Sequence, residues 1–406
     1  MTDDRRYHRT HPWISFRHHL ERADPLHWSL LGEASARCDQ VAQAVLPPAD
    51  ARRMHQLYLV KGVRGTTAIE GNTLSEEQIA AHAEGRLDLP SSQEYLKREV
   101  DNVLGAVNDV FDGIMGGSPP ALTPDWIAGA NRRLLEGLED HLEDGVVPGE
   151  IPSHPVGVLR YRGAPREDCA FLLGRLCEWL EGEGWPVRPD RREDRTASAI
   201  LRAVYLHLYL AWIHPFGDGN GRTARLAEFM ILAREGVPSP CAHLLSNHYN
   251  LTRAEYYRQL DRSSRANSGR GDPLGFLLYS LRGFVDGLRE QARHVADIQL
   301  GLAWEHFVYG EFRRMPSSTA MRRRREVALV LGRSGATVPR RAIPDLNADL
   351  ARSYARKTGK TLTRDMNWLV GRELLERGRE GYRAKVESMR AFQPARAGEA
   401  VRSETG

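Results

Sequence analysis

Apolar residues recur at helical spacing along most of this chain. In SSQEYLKREVDNVLGAVNDVF, residues 91–111, Leu96, Val100, Val103, Leu104, Val107, Val110 and Phe111 fall on one face of a 3.6-residue period. That predicts an amphipathic helix, and the spacing of Ser91 and Glu94 predicts a capping box at its start. A second box, Ser75 to Gln78, opens LSEEQIAAHAEG, with Gly85 as its stop. Thr123 before Pro124 predicts the cap and first position of another helix. The stretch AILRAVYLHLYLAWI, 199–213, is apolar nearly all round, with Arg202 its only charged residue. It is shorter than the ~20 residues of a membrane span, so it predicts the buried central helix of a bundle. His207 lies inside this stretch and reads as a satisfied core histidine. Strand signals are sparse. SHPVGVLRYRG, 153–163, has a β-like centre, and Pro155 and Gly157 oppose a helix there, so it predicts a surface hairpin. The fold class expected is all-α.

Composition changes this picture only in places. A length of 406 residues suggests two or three domains. Cys38, Cys169, Cys177 and Cys241 form no CxxC, so neither a zinc site nor a disulfide framework is indicated, and free buried thiols are expected. The polar start MTDDRRYHRTHPW has no apolar leader core, and the reading is a soluble cytoplasmic chain without membrane contact. The net charge of +4 is uneven. Residues 318–390 hold 18 Lys or Arg against 8 Asp or Glu, a surplus of +10, so the remainder carries −6. A basic module on an acidic body points to a polyanion partner for that module. Pro, Ser and charge runs place boundaries near 90 and 316. These divide the chain into an N-terminal helical region (1–90), a core (91–316), a C-terminal module (317–390) and a tail (391–406) expected to be disordered.

The chemistry concentrates in IHPFGDGNGRTARL, 213–226. His214 precedes a proline, which disfavours helix, so the buried helix stops there and another starts near Arg222. Unpaired N–H groups at a helix start favour an anion. Gly217, Gly219 and Gly221 let backbone amides turn inward. Arg222 and Arg225 share one face of the first turn, where each cation costs ~0.3–1 kcal/mol unless an anion pairs with it. Phosphates fit that role. Asp218 suits Mg²⁺ bridging phosphate oxygens, and His214 can act as a general base near neutral pH. GxxxxGK[ST] is absent, so this is not a Walker loop.

HPFGDGNGRTAR resembles the signature of the Fic family, His-x-Phe-x-(Asp/Glu)-Gly-Asn-Gly-Arg-x-x-Arg, at every position. The resemblance implies a Fic-type helical bundle and transfer of AMP from ATP to a protein hydroxyl of Ser, Thr or Tyr, with release of pyrophosphate. By position it implies His214 as base, Phe216 packed below the loop and Asp218 on Mg²⁺. Gly219, Asn220 and Gly221 would cradle the inner phosphate, with Arg222 on the inner phosphates and Arg225 on the γ-phosphate. TTAIEGN, 66–72, resembles the family's inhibitory motif (Ser/Thr)-x-x-x-Glu-(Gly/Asn) through Thr66, Glu70 and Gly71. It implies that Glu70 pairs with Arg225 where the γ-phosphate would lie. The hairpin around Val156, Gly157 and Val158 matches the family's flap, which docks a target segment by strand addition. Pro152 stands where relatives often carry arginine.

TLTRDMNWLVGRELLERGREGYRAK, 361–385, reads as a helix and then a hairpin, with Leu362, Met366, Leu369 and Val370 as its apolar stripe. With the preceding helix it resembles a winged helix-turn-helix. That implies either DNA binding or a dimer or protein contact. Two further readings share the same residues. One is a DNA-binding regulator whose core senses nucleotide, and the other is an enzyme that uses Glu70 to remove AMP with water.

Overall fold

A computed structural model describes residues 5–158, 161–187 and 194–390. The tail 391–406 lies outside them. The chain divides into two compact units, the first ending at Ala292 and the second starting at Arg293.

In the first unit a short turn of helix, α1 (Tyr7–Thr10), precedes α2 (Pro25–Ala42) and α3 (Pro48–Ile69). The predicted Ser75–Gln78 box forms and starts α4 (Glu76–Ala83), and Gly85 takes φ +69° just past its end. The second predicted box does not form. The Gln93 amide donates to the Pro90 carbonyl (2.8 Å), so residues 91–93 close as a 3₁₀ turn and α5 (Glu94–Met115) begins after them without a side-chain cap. Thr123 caps α6 (Pro124–Leu135) as expected. The predicted hairpin is present as β1 (Gly157–Val158) and β2 (Tyr161–Arg162), paired antiparallel. Helix α7 (Arg166–Glu181) leads to α8 (Arg195–Ile213), which at 19 residues outruns the apolar stretch that predicts it. Its length and composition would suffice for a bilayer, but 83% of its apolar window is buried by protein. It is the centre of the bundle, packed on α9 (Asn220–Arg234), α7 and α2. Short α10 (Ser239–Ala242) and α11 (Leu244–Leu251) carry α3, and α12 (Arg253–Gly269) packs on α8. A Cβ on Gly65 would lie 2.7 Å from the Ser246 carbonyl oxygen, so glycine there permits the close α3–α11 approach. Helix α13 (Leu274–Arg313) begins in this unit.

The second unit takes in α13 from Arg293 onward, 24 residues ahead of the boundary read from sequence at 317, because Trp304, Val308 and Phe312 belong to its core. It continues with α14 (Thr319–Ser334), α15 (Ala348–Tyr354), α16 (Gly359–Gly371) and a hairpin of β3 (Leu375–Arg377) and β4 (Tyr382–Ala384). Val338 and Tyr382 exchange backbone hydrogen bonds of 2.9 Å each, adding a third short segment to that hairpin. Leu362, Met366 and Leu369 are buried as the stripe predicts. Two arginines of the run MRRRR are not surface charge at all. Arg323 and Arg324 each donate to buried Asp365 at 2.7 Å, and Tyr354 donates to the same carboxylate at 3.1 Å. Asp365→Ala should cost about 3–5 kcal/mol by leaving two buried guanidinium groups unpaired. Hydrogen exchange of the full chain would then show loss of protection confined to residues after 293.

All four cysteines are buried, and burial pushes the Cys169 and Cys177 thiols up to about 12.

Candidate active site

The loop joining α8 to α9 is built by its own polar groups. Helix α8 ends at Ile213, and His214 takes the left-handed conformation (φ 50°, ψ 60°), a backbone choice costing on the order of 1–2 kcal/mol for a non-glycine residue. Three bonds hold it there. The His214 amide donates to Leu210, Ala164 donates to the Ile213 carbonyl (2.9 Å each), and the Tyr161 hydroxyl donates to the Trp212 carbonyl (2.5 Å). The last two come from β2 and from two residues past its end, so the hairpin is tied to the backbone that carries His214. The start of α9 is Asn220, two residues before the sequence reading. Gly219 at φ +74° turns the chain into the helix, and its carbonyl accepts the first helical bond from Thr223 (2.8 Å).

Asn220 shapes the loop with its side chain. Its Oδ1 accepts from the Phe216 amide (3.0 Å) and its Nδ2 donates to the Phe216 carbonyl (2.6 Å), so only its backbone remains for a ligand. Phe216 is buried below the loop, as expected. Asn131 of α6, absent from the sequence reading, ties the other side. Its Nδ2 donates to the Asp218 carbonyl (2.9 Å) and Thr223 Oγ1 (3.1 Å), and its Oδ1 accepts from Gly149 (2.8 Å).

The two arginines are paired with carboxylates of the chain itself. Arg225, 1% exposed, donates from Nη2 to Glu70 Oε1 (2.5 Å) and to the Thr66 carbonyl (3.0 Å). Arg222 donates to Glu99 Oε1 and to Asp218 Oδ1, both at 2.9 Å. Glu99 is a second residue the sequence reading missed. Asn72 binds its other oxygen (2.8 Å), so the turn that follows Glu70 is also linked to Arg222 through Glu99. Three carboxylates therefore occupy the anionic places that the helix start demands. Arg225 Nε and Nη1 and Arg222 Nε are buried and have no hydrogen-bond partner among the described residues. Burial favours the neutral acid for Glu70, but Arg225, Arg222 and Arg253 outweigh it and hold the carboxyl below its ordinary range. Burial pushes Glu99 up, against the opposing pull of Arg222. A Cβ on Gly221 would press on the Glu70 carboxylate and displace it from its present place.

Half-buried His214 opens onto a cavity of about 720 Å³ shared with Glu70, Asp218, Gly219, Gly221 and Arg225. Burial lowers its pKa to about 4, although Glu70, a hydrogen bond to the Ala211 carbonyl and Asp218 all pull upward. At neutral pH the ring is uncharged, with one nitrogen donating to Ala211 and the other free to accept a proton. Gly157 of β1 sits at one wall, and Tyr256, Tyr257 and Leu260 of α12 line another. The Val156 carbonyl accepts from Gly163 (3.0 Å), and Val158 pairs with Tyr161 in the same ladder. Thr66 is buried, and Gly71 takes φ +111° to end the α3 turn.

This order of His214, Asp218, a glycine-capped helix start and Arg225 around one cavity coincides with a match to the Fic/DOC family over residues 121–232. The chain carries a domain of the Fic/DOC family. The chain is similar to the protein adenylyltransferase fic-1 of Caenorhabditis elegans, with 32% identity over 52% of this chain and 37% of that one. It is also similar to the protein adenylyltransferase Fic of Nematostella vectensis, with 28% identity over 50% of this chain and 42% of that one. The chain thus spans well under half the length of these relatives. In fold, it superposes on a Fic family protein of Desulfovibrio desulfuricans G20 over 89% of its length and 96% of that chain (TM-score 0.52, 21% identity). Fic-1 of C. elegans superposes over 65% of this chain and 71% of that one (TM-score 0.50, 24% identity).

Proposed function

We propose that this Fic-domain chain is a self-inhibited protein adenylyltransferase, moving AMP from ATP to a Ser, Thr or Tyr hydroxyl of a protein, its own chain being one candidate acceptor. The observation that carries the reading is the uncharged His214 in one cavity with Arg225, whose free N–H groups point to a further anion. The triphosphate lies along the α9 start, where the amides of Gly219, Asn220 and Gly221 and the helix dipole favour it. Arg225 binds its outer end once Glu70 is displaced, and Arg222 its inner phosphates. Tyr257 and Leu260 offer an apolar wall for the base.

His214 accepts the proton of the acceptor hydroxyl through its free ring nitrogen. The hydroxyl oxygen forms a bond to the α-phosphorus, and the bond from that phosphorus to the bridging oxygen breaks, its electron pair leaving with pyrophosphate. Asp218 fits Mg²⁺. It is 38% exposed at the loop, and a single carboxylate beside phosphates is a usual set for that ion, which needs no larger protein cluster. When bound, Mg²⁺ would neutralise phosphate charge. The hairpin β1–β2 presents an edge at the cavity mouth for an extended target segment. In the chain carrying Glu70→Gly, incubation with ATP and Mg²⁺ followed by intact mass should show a gain of one AMP. No adduct on this chain or on any protein of a cell extract would sink the reading.

The second unit is read as a winged helix that binds duplex DNA. Lys360, Arg364 and Asn367 on α16, Arg372 just past its end, and Arg377 and Arg379 on the hairpin are exposed, whereas Arg323 and Arg324 are consumed by Asp365. Gel shift at low salt should detect duplex binding that weakens steeply as salt rises. Absence of any shift at low salt would leave a dimer or protein contact as this unit's role. A cytoplasmic site of action belongs to the same proposal.

A further inference from the structure

Behind the cavity wall lies a buried polar chain that the transfer reaction does not use. His207, fully buried in α8, faces Glu228 of α9 through Nδ1 (3.4 Å to Oε2) and Tyr256 of α12 through Nε2 (2.9 Å to the hydroxyl). Tyr249 donates to Glu228 Oε1 at 2.9 Å and lies 3.1 Å from Ser280 Oγ. Glu228 is 1% exposed, so a purely structural account must explain why a carboxylate sits in an otherwise apolar core. The pattern of donors suggests why. The Glu228 carboxylate accepts from Tyr249, and its Oε2 lies 3.4 Å from His207 Nδ1 without hydrogen-bond geometry, neither atom having another partner among the described residues, so the carboxylate favours a proton on Nδ1. With the imidazole neutral, Nε2 is then the acceptor, the Tyr256 hydroxyl donates to it, and the tyrosine ring is held from behind. Stacking on Tyr249 (centroids 4.9 Å apart, 28° between planes) fixes the same ring from the side. Tyr256 lines the cavity. Burial keeps its hydroxyl protonated, against the opposing pull of the Arg225 guanidinium.

We propose that His207, set in one tautomer by Glu228, is a positioning residue of the nucleotide site that acts through the hydroxyl of Tyr256. The inference rests on the reading of the cavity as a nucleotide site. It assigns the wall beside Arg225 a fixed orientation that depends on a histidine not touching the ligand.

The test is calorimetric titration of Mg-ATP into the full chain carrying Glu70→Gly, with His207 and Tyr256 varied in that background. His207→Leu removes the acceptor and His207→Gln keeps one close to the Nε2 position. Tyr256→Phe removes the hydroxyl and keeps the ring. A lost hydrogen bond of this kind corresponds to about a tenfold weaker affinity. His207→Leu and Tyr256→Phe should each weaken ATP binding about tenfold, His207→Gln should retain most of the affinity, and His207→Leu should add nothing once Tyr256 is Phe. In rates of AMP incorporation the loss should fall on KM for ATP, with kcat held. Should the Leu variant not fold, the Tyr256→Phe result and the Gln variant decide alone. Equal affinity in parent, Tyr256→Phe and His207→Gln chains, or a Leu effect undiminished in the Tyr256→Phe background, overturns the proposal while the nucleotide reading stands. Absence of ATP binding in the parent chain overturns both.

Discussion

Replacing Glu70 with glycine should raise incorporation of labelled AMP from ATP by about ten- to a hundredfold. The pair it breaks is short and buried on one side, with Arg225 1% exposed and 2.5 Å from the carboxylate. A hydrogen bond between charged groups contributes about 1.5–3 kcal/mol, which corresponds to that range when the phosphate must displace it. Acid alone should not open the clamp at physiological pH. The Glu70 carboxyl is held below its ordinary 4.5, so its pairing persists above that value and is lost only as pH falls through the lower folded pKa. Relief should therefore come from moving the turn at Thr66–Asn72 rather than from protonation. Glu70→Gln, which keeps the shape and removes the charge, should give an intermediate rise. A folded Glu70→Gly chain with unchanged incorporation would remove the inhibitory role. A fall in AMP release from a pre-labelled chain would favour the water-orienting role for the same carboxylate.

His214→Ala in that activated background should lower incorporation by about 10²–10⁴-fold while leaving Mg-ATP affinity nearly unchanged. The base touches the acceptor proton, not the triphosphate, so a loss of ATP binding of similar size would contradict its assignment. The pH dependence follows from burial. With the folded pKa near 4 against an ordinary 6.5, the ring is unprotonated across the neutral range, and the acid limb of kcat/KM should lie well below 6.5. The same shift costs stability in acid. The unfolded chain takes up this proton from about pH 6.5 downward and the folded chain does not until about pH 4, so His214 progressively disfavours folding across that window.

Some of this was written in local residue order. The loop 213–226 announces a helix stop, a tight turn and a helix start through His-Pro and spaced glycines, and the structure places His214, Asp218 and Arg225 on one cavity. Thr123 and the Ser75–Gln78 box set their helix starts by bonds that span three residues. The Ser91–Glu94 box failed because the Glu94 amide donates to the Ser91 backbone carbonyl rather than to its side chain, a contest that a residue pattern does not reveal. Glu99 and Asn131 were missed for a related reason. Each is a polar residue on an amphipathic helix and reads as solvent-facing, and only the packing of α5 and α6 against α9 turns it toward the loop.

The arginine-rich run shows the limit of counting charge. Arg323 and Arg324 add to the surplus of the C-terminal module, yet Asp365, some 40 positions later, takes both into the core. The loop arginines were likewise legible as needing anions, but not that Glu70, Glu99 and Asp218 already supply them. By itself the sequence determined the helices, the turn chemistry and the residue types at the site, because those depend on neighbours a few positions apart. The tertiary structure alone decided which charges face one another and which protonation states result, because Coulomb energy and desolvation depend on distance through space and on burial.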